Sequence, residues 1–161
     1  MMKVVSLFFT GLMLCTVSAL AQPASDTSAD TNMEILKQKL KADKKLLVAG
    51  NMDLSDAEAK KFWPVYDAYQ KDLEQVNQKL AQTIKDYAEA FNKGSIPDAT
   101  AKKLLNDALS VEEQENKLKR TYADKLEKAI PYNKVARYIQ IENKIRALIK
   151  MELAQQIPLV Y

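Results

Sequence analysis

The side chains that most often perform catalysis or bind transition metals are nearly absent from this chain. Its 161 residues contain no histidine and a single cysteine, Cys15. Histidine is the commonest general base and the commonest metal ligand, so neither an imidazole-activated nucleophile nor an imidazole metal site is available. Phosphate and dinucleotide loops need clustered glycines, and the three glycines here are far apart. We therefore expect no enzymatic activity and no cofactor.

Two weaker metal-binding patterns remain. Met33, Met52 and Met151 are too few and too scattered for a thioether copper site. The acidic run Glu112-Glu113-Gln114-Glu115 could attract a hard cation weakly, but it also fits a solvated helix face. The sequence therefore predicts no metal site.

Basic and apolar residues repeated at helical spacing are the main feature that could bind a partner. Such a surface could attract acidic segments of another protein and then hold them by apolar contact. The same spacing also fits an ordinary solvated basic edge beside a packed stripe. The formal net charge of +3 is too small to indicate a nucleic-acid binder. The candidate partner-binding residues are Lys37, Lys41, Lys44, Lys45, Trp63, Lys134, Arg137, Lys144 and Arg146.

The N-terminus resembles a cleaved secretory signal, residues 1–21. Lys3 precedes the apolar stretch Val4 to Val17, and Ala19-Leu20-Ala21 fits the small-x-small cleavage rule. A membrane anchor would need about 20 apolar residues, and lipoprotein processing at Cys15 would need a small residue before it. We expect export to the periplasm, a flexible leader over 22–31, and one all-helical domain over 32–161.

Sparse turn-forming residues divide that domain into four helices. The first is predicted from about Met33 to Ala49, with Gly50 as its stop. The second begins at Ser55, where Ser55 and Glu58 have the spacing of a capping box and Leu54 can act as a hydrophobic staple. It continues to about Asn92, with an expected kink at Pro64. The stripe predicted for the first helix is Met33, Leu36, Leu40 and Leu47.

The second and third helices carry matching seams. Apolar residues alternate by four and three from Phe62 to Tyr87, which is the spacing of a coiled coil. A comparable seam runs from Ala101 to Ala129 in a third helix predicted over about 98–129. The short Gly94–Pro97 connection makes these helices an antiparallel hairpin. The fourth helix follows Pro131 and has a wide apolar surface, which predicts contact with two neighbours or with a second chain.

Two helix starts resemble each other. Leu54-Ser55-Asp56-Ala57-Glu58 is followed by Phe62, and Ile130-Pro131-Tyr132-Asn133-Lys134 is followed by Tyr138. Any two capped amphipathic helices could share this spacing, so the spacing alone leaves their relationship open.

With its signal peptide, four helices and paired helix starts, the chain resembles the Spy/CpxP family, whose repeated motif is Leu-Thr-x-x-Gln. The motif residues here are Leu54, Ser55, Glu58, Phe62, Ile130 and Tyr138. The resemblance implies a homodimer that holds unfolded or partly folded proteins without ATP during envelope stress. The alternatives are a regulatory module that binds the periplasmic domain of a membrane sensor, and a structural helical protein of the envelope.

Overall fold

The structure, a computed structural model, describes residues 42–160, and within that range the chain is helical with no strand. Its four helices are α1 (42–52), α2 (Asp56–Asn92), α3 (Asp98–Leu126) and α4 (Tyr132–Gln156). The described residues belong to one compact unit. The all-α prediction is confirmed. The predicted signal peptide, the leader and the part of the first helix up to Lys41 lie outside the described residues.

The end of α1 differs from the prediction. Gly50 lies inside the helix, which continues to Met52, and Asp53 then takes a positive φ of 47°. Aspartate tolerates the left-handed conformation better than most residues, so it can end a helix where glycine would be expected. The predicted stripe is also wrong at Leu47, which is exposed. The face packed against the core carries Val48 and Met52 instead.

The start of α2 follows from its capping box. The Ser55 backbone N–H donates to Glu58 Oε2 at 2.8 Å, and the Glu58 backbone N–H donates to Ser55 Oγ at 3.4 Å. Two N–H groups with no partner inside the helix are thereby satisfied. The helix passes through Pro64 without ending. The predicted seam is buried from Phe62 to Val76 and only partly buried beyond it.

The α3 helix runs antiparallel to α2. Tyr122, near the end of α3, donates to Asp72 in the first half of α2 at 2.6 Å, whereas residues near the start of α3 lie beside the end of α2. The helix ends at Leu126, three residues before the predicted end, and Ile130 is buried in the connection that follows. Its predicted seam is buried at Leu104, Val111, Glu115 and Tyr122.

The α4 helix packs against both α2 and α3, as its wide apolar surface predicted. Tyr138 lies against the rings of Tyr66 and Tyr69 on α2, and Arg146 is paired with Glu115 on α3. The contact of Tyr87 with Pro158 at the far end shows that α4 runs parallel to α2. The helices therefore form an up-down-up bundle, with α1 packed at one end.

An aromatic cluster fills the end of the bundle where α2 and α4 begin. The ring centroids of Phe62 and Tyr138 are 5.2 Å apart, and those of Tyr69 and Tyr122 are 5.3 Å apart, both in edge-to-face geometry. Such pairs stabilise by about 0.5–1.5 kcal/mol beyond the burial of their area. The largest fully buried side chains of the described residues are therefore concentrated at this end.

Candidate functional site

Four of the six predicted partner-binding cations that the structure describes are held by carboxylates of the same chain. Lys44 Nζ lies 2.7 Å from Glu142 Oε2 and donates to Gln70 Oε1 at 2.8 Å. Gln70 in turn donates to Glu142 Oε1 at 2.9 Å and to the Tyr138 hydroxyl at 3.2 Å. Burial and the charge of Glu142 raise the pKa of Tyr138. This network joins α1, α2 and α4 around a carboxylate whose side chain is 4% exposed.

Arg146 has a similar position one turn further along the same face of α4. Its Nε donates to Glu115 Oε2 at 2.8 Å and its Nη1 donates to Asn77 at 2.6 Å. Lys119 supplies a second cation to Glu115 at 3.2 Å. Burial would raise the pKa of Glu115, but Arg146 and Lys119 more than offset this and hold that pKa below its ordinary value. Arg146 therefore has a clear packing role inside the bundle.

Lys45 and Trp63 meet where α1 packs on α2. Lys45 Nζ lies 5.1 Å from the indole centroid of Trp63 and 2.8 Å from Asp67 Oδ1. Trp63 also makes edge-to-face contacts with Phe62 and Tyr66. Trp63 is half-buried at this junction, so it packs α1 against α2 while one part of its ring stays open to solvent.

The two helix starts that resemble each other in sequence lie side by side. Lys134 Nζ is 2.7 Å from Glu58 Oε2 and also donates to the Asp53 carbonyl at 2.7 Å. The Lys134 ammonium and the Ser55 backbone N–H lower the pKa of Glu58 from 4.5 to about 2. Together with the contact between Phe62 and Tyr138, this pair joins equivalent positions of the two segments. Leu54 is half-buried against the core, and Ile130 is buried within it.

Only Arg137 and Lys144 among the described candidates are exposed without an ion pair. The seven-residue spacing places both on one face of α4, in line with the exposed Met151. Lys37 and Lys41 lie outside the described residues. The structure thus brings Lys44, Lys134 and Arg146 into the bundle and leaves a short basic strip on α4.

A groove that the sequence patterns did not predict opens where the three long helices separate. Its volume is about 650 Å³, and nearly all of its lining is aliphatic. The Glu112–Lys150 ion pair lies at its inner end, and the Tyr87 hydroxyl donates to the Pro158 carbonyl at 2.8 Å at its outer end. The aliphatic lining includes Leu80, Ile84, Ile96, Leu104, Leu105, Leu109, Leu153, Ile157, Leu159 and Val160.

Large apolar side chains in the groove and near it remain open to solvent. Leu105 is 60% exposed and Leu109 is 48% exposed on α3. Leu148, Ile149 and Met151 are exposed at the same level of α4. The sequence carried one signal for this surface: Leu105 and Leu109 are four residues apart and lie outside the seam that packs on α2.

Residues 42–160 contain neither a metal-binding cluster nor a candidate membrane span. No group of three or more His, Cys, Asp or Glu side chains in residues 42–160 could hold a metal ion. None of the helices in that range is long and apolar enough to cross a membrane.

Comparison with protein-family models, with curated protein sequences and with solved structures finds no match to this chain.

Proposed function

We propose that this protein is an exported chaperone that binds unfolded or partly folded proteins without ATP. The observation that carries the proposal is the aliphatic groove with exposed leucines along its edge. Folded monomers rarely leave a contiguous apolar surface open to water unless it binds something. A surface of this kind suits partners that expose apolar side chains.

The basic strip on α4 supports the same function. Arg137 and Lys144 share one exposed face of α4 with Met151, outside the residues that line the groove. Exposed cations raise the rate at which acidic segments are encountered, and apolar contact then slows their release. A client would therefore be attracted by charge and retained by the groove.

The resemblance to the Spy/CpxP family extends this proposal to a homodimer acting in the periplasm during envelope stress. The adjacency of the two helix starts supports the resemblance, since Glu58 contacts Lys134 and Phe62 contacts Tyr138. Two segments that share a pattern and also pack together fit a repeated motif better than two unrelated helix starts.

The function can be tested by measuring aggregation with light scattering. A chemically denatured client protein is diluted into buffer with and without the purified chain. We expect suppression of aggregation near a one-to-one ratio without ATP. The matched variants are Leu105→Glu with Leu109→Glu at the groove and Leu46→Glu, which is 70% exposed on α1. The groove variant should lose suppression because a charge is costly to bury against an apolar client, whereas Leu46→Glu should retain it.

The absence of suppression across several clients and salt concentrations would refute the chaperone proposal. Crosslinking in the native envelope separates it from the alternatives. Many crosslinked partners would support a chaperone, and one saturable partner would indicate a module that regulates a membrane sensor or packs on an envelope component.

A further inference from the structure

We propose that the groove selects amphipathic helices with aliphatic side chains on one face, in preference to extended segments. The inference rests on the proposed function, because it names the class of client segment that the groove receives. Three properties of the groove support it: the state of its backbone groups, its length, and the charges at its inner end.

The helical walls of the groove offer few hydrogen-bonding groups. They are built from α2, α3 and α4, whose backbone N–H and C=O groups are used within the helices, and only Ile96 and residues 157–160 line the groove from outside a helix. An extended segment could pair with backbone groups only at these residues and would bury its other N–H and C=O groups without partners, at a cost of about 1–3 kcal/mol for each. A helix keeps these groups paired internally, so its apolar face can enter at little polar cost.

The length of the groove suits a short run of helical turns. Its α3 wall extends from Ala101 to Glu115, which is about 21 Å at the helical rise. About three to four turns of a partner helix fit this length, with side chains at i, i+3, i+4 and i+7 entering the groove. The small side chains of Ala101, Ala108 and Ala154 leave space for larger ones from the partner.

The inner end of the groove carries opposite charges on opposite walls. Glu112 on α3 is 59% exposed, and Lys150 on α4 is 49% exposed, with 3.3 Å between the ammonium and the carboxylate. A helix with basic residues on one flank and acidic residues on the other could pair with both.

Fluorescence anisotropy with two labelled peptides of about 18 residues tests the selectivity. The peptides share one composition and one net charge, but one has leucines at helical spacing and the other has leucines at alternate positions. We expect the intact protein to bind the first at least about tenfold more tightly, with an increase in helical circular dichroism. Leu105→Glu with Leu109→Glu should weaken this binding by about tenfold, and Leu46→Glu should leave it unchanged.

Several results would overturn the inference. Equal binding of the two peptides would show that the groove does not select helices. An equal loss of peptide affinity in the groove and α1 variants would show that the peptide does not bind in the groove. Tighter binding of a long-chain fatty acid that displaces the peptide would identify a lipid site. A loss of dimer mass in the groove variant would identify a second copy as the occupant. Leu109→Gln provides a milder variant if the double one fails to fold.

The two proposals can fail separately. Aggregation suppression without any preference for the helical peptide would overturn the selectivity and leave the chaperone function. Selective peptide binding without aggregation suppression would overturn the chaperone function and leave the groove as a helix-binding site.

Discussion

Two buried carboxylates determine the role of the cations around them. Glu115 and Glu142 are each 4% exposed, and each receives a cation from another helix. Removing a single member of such a pair leaves an uncompensated charge in the interior, whereas replacing both by apolar residues is often tolerated. Lys44 and Arg146 therefore belong to the packing of the bundle before any role in binding.

Single and double substitutions at Glu115 and Arg146 should show this difference between losing one partner and losing both. We expect Glu115→Leu to cost about 3 kcal/mol or more, because Arg146 loses its only carboxylate among the described residues. Arg146→Met should cost less, since Lys119 still pairs with Glu115. The double variant should be clearly more stable than the sum of the two losses predicts, as measured by urea unfolding. If the two single losses of stability simply added in the double variant, the interaction between Glu115 and Arg146 would be contradicted.

Glu58 should make stability depend on acid pH. Its pKa is lowered from 4.5 to about 2 in the folded state, so its stabilising contribution is present above about pH 5 and is lost as the pH falls toward 2. Glu58→Gln keeps an acceptor for the cap but loses the charge that pairs with Lys134. The melting temperature of the native protein should exceed that of the variant near pH 6, and the two should converge near pH 2.

Glu89→Gln is the matched control for that titration. The Glu89 carboxylate lies on the surface, 3.9 Å from Lys85, and exposed pairs of this kind contribute little. Its melting temperature should follow that of the native protein at every pH. If the difference in melting temperature between the native protein and Glu58→Gln did not change with pH, the lowered pKa of Glu58 would be contradicted.

At the scale of the elements, helix ends are set by local chemistry and helix rotation by distant contacts. The start of α2 was predictable because Ser55 and Glu58 lie three residues apart in the sequence. The end of α1 was not, because Asp53 can adopt the positive φ that the pattern assigned to Gly50. Leu47 was assigned to the buried face from spacing alone. The contact of Lys44 with Glu142, 98 residues away, accompanies a rotation that buries Val48 instead.

The two described glycines should therefore respond differently to alanine. A Cβ at Gly50 meets no atom within 4 Å and the residue lies in a helix, so Gly50→Ala should stabilise the protein by about 0.5–1 kcal/mol. Gly94 has a φ of 107°, a conformation that an L side chain rarely adopts, so Gly94→Ala should destabilise it by about 1 kcal/mol or more. Urea unfolding of both variants measures the difference, and equal effects would contradict it.

At the scale of the whole molecule, the burial of apolar side chains changes along the described bundle. The aromatic cluster closes one end, whereas the helices separate around the groove at the other. The four helices and the seam up to Val76 could be predicted from periodicity. The groove could not be predicted from periodicity. Its existence depends on the space left between three helices beyond the part of the seam that is buried.

Amide hydrogen exchange along α2 should follow this change in burial. Amides of α2 between Phe62 and Val76 should exchange more slowly than those between Leu80 and Asn92, since local opening is easier where fewer apolar contacts must break. Mass spectrometry of exchanged peptides measures both halves in one sample, so each serves as the reference for the other. Uniform protection along α2 would contradict a looser groove end.

Trp63 is the only tryptophan in the chain, and this gives the protein a built-in optical reporter. Its indole lies beneath the Lys45 ammonium, so its emission should change when α1 detaches from α2. Along α2 the groove residue Ile84 is about 30 Å away. A partner that contacts only the groove and still changes the emission has therefore altered the far end of the bundle, and one that leaves the emission unchanged has acted locally.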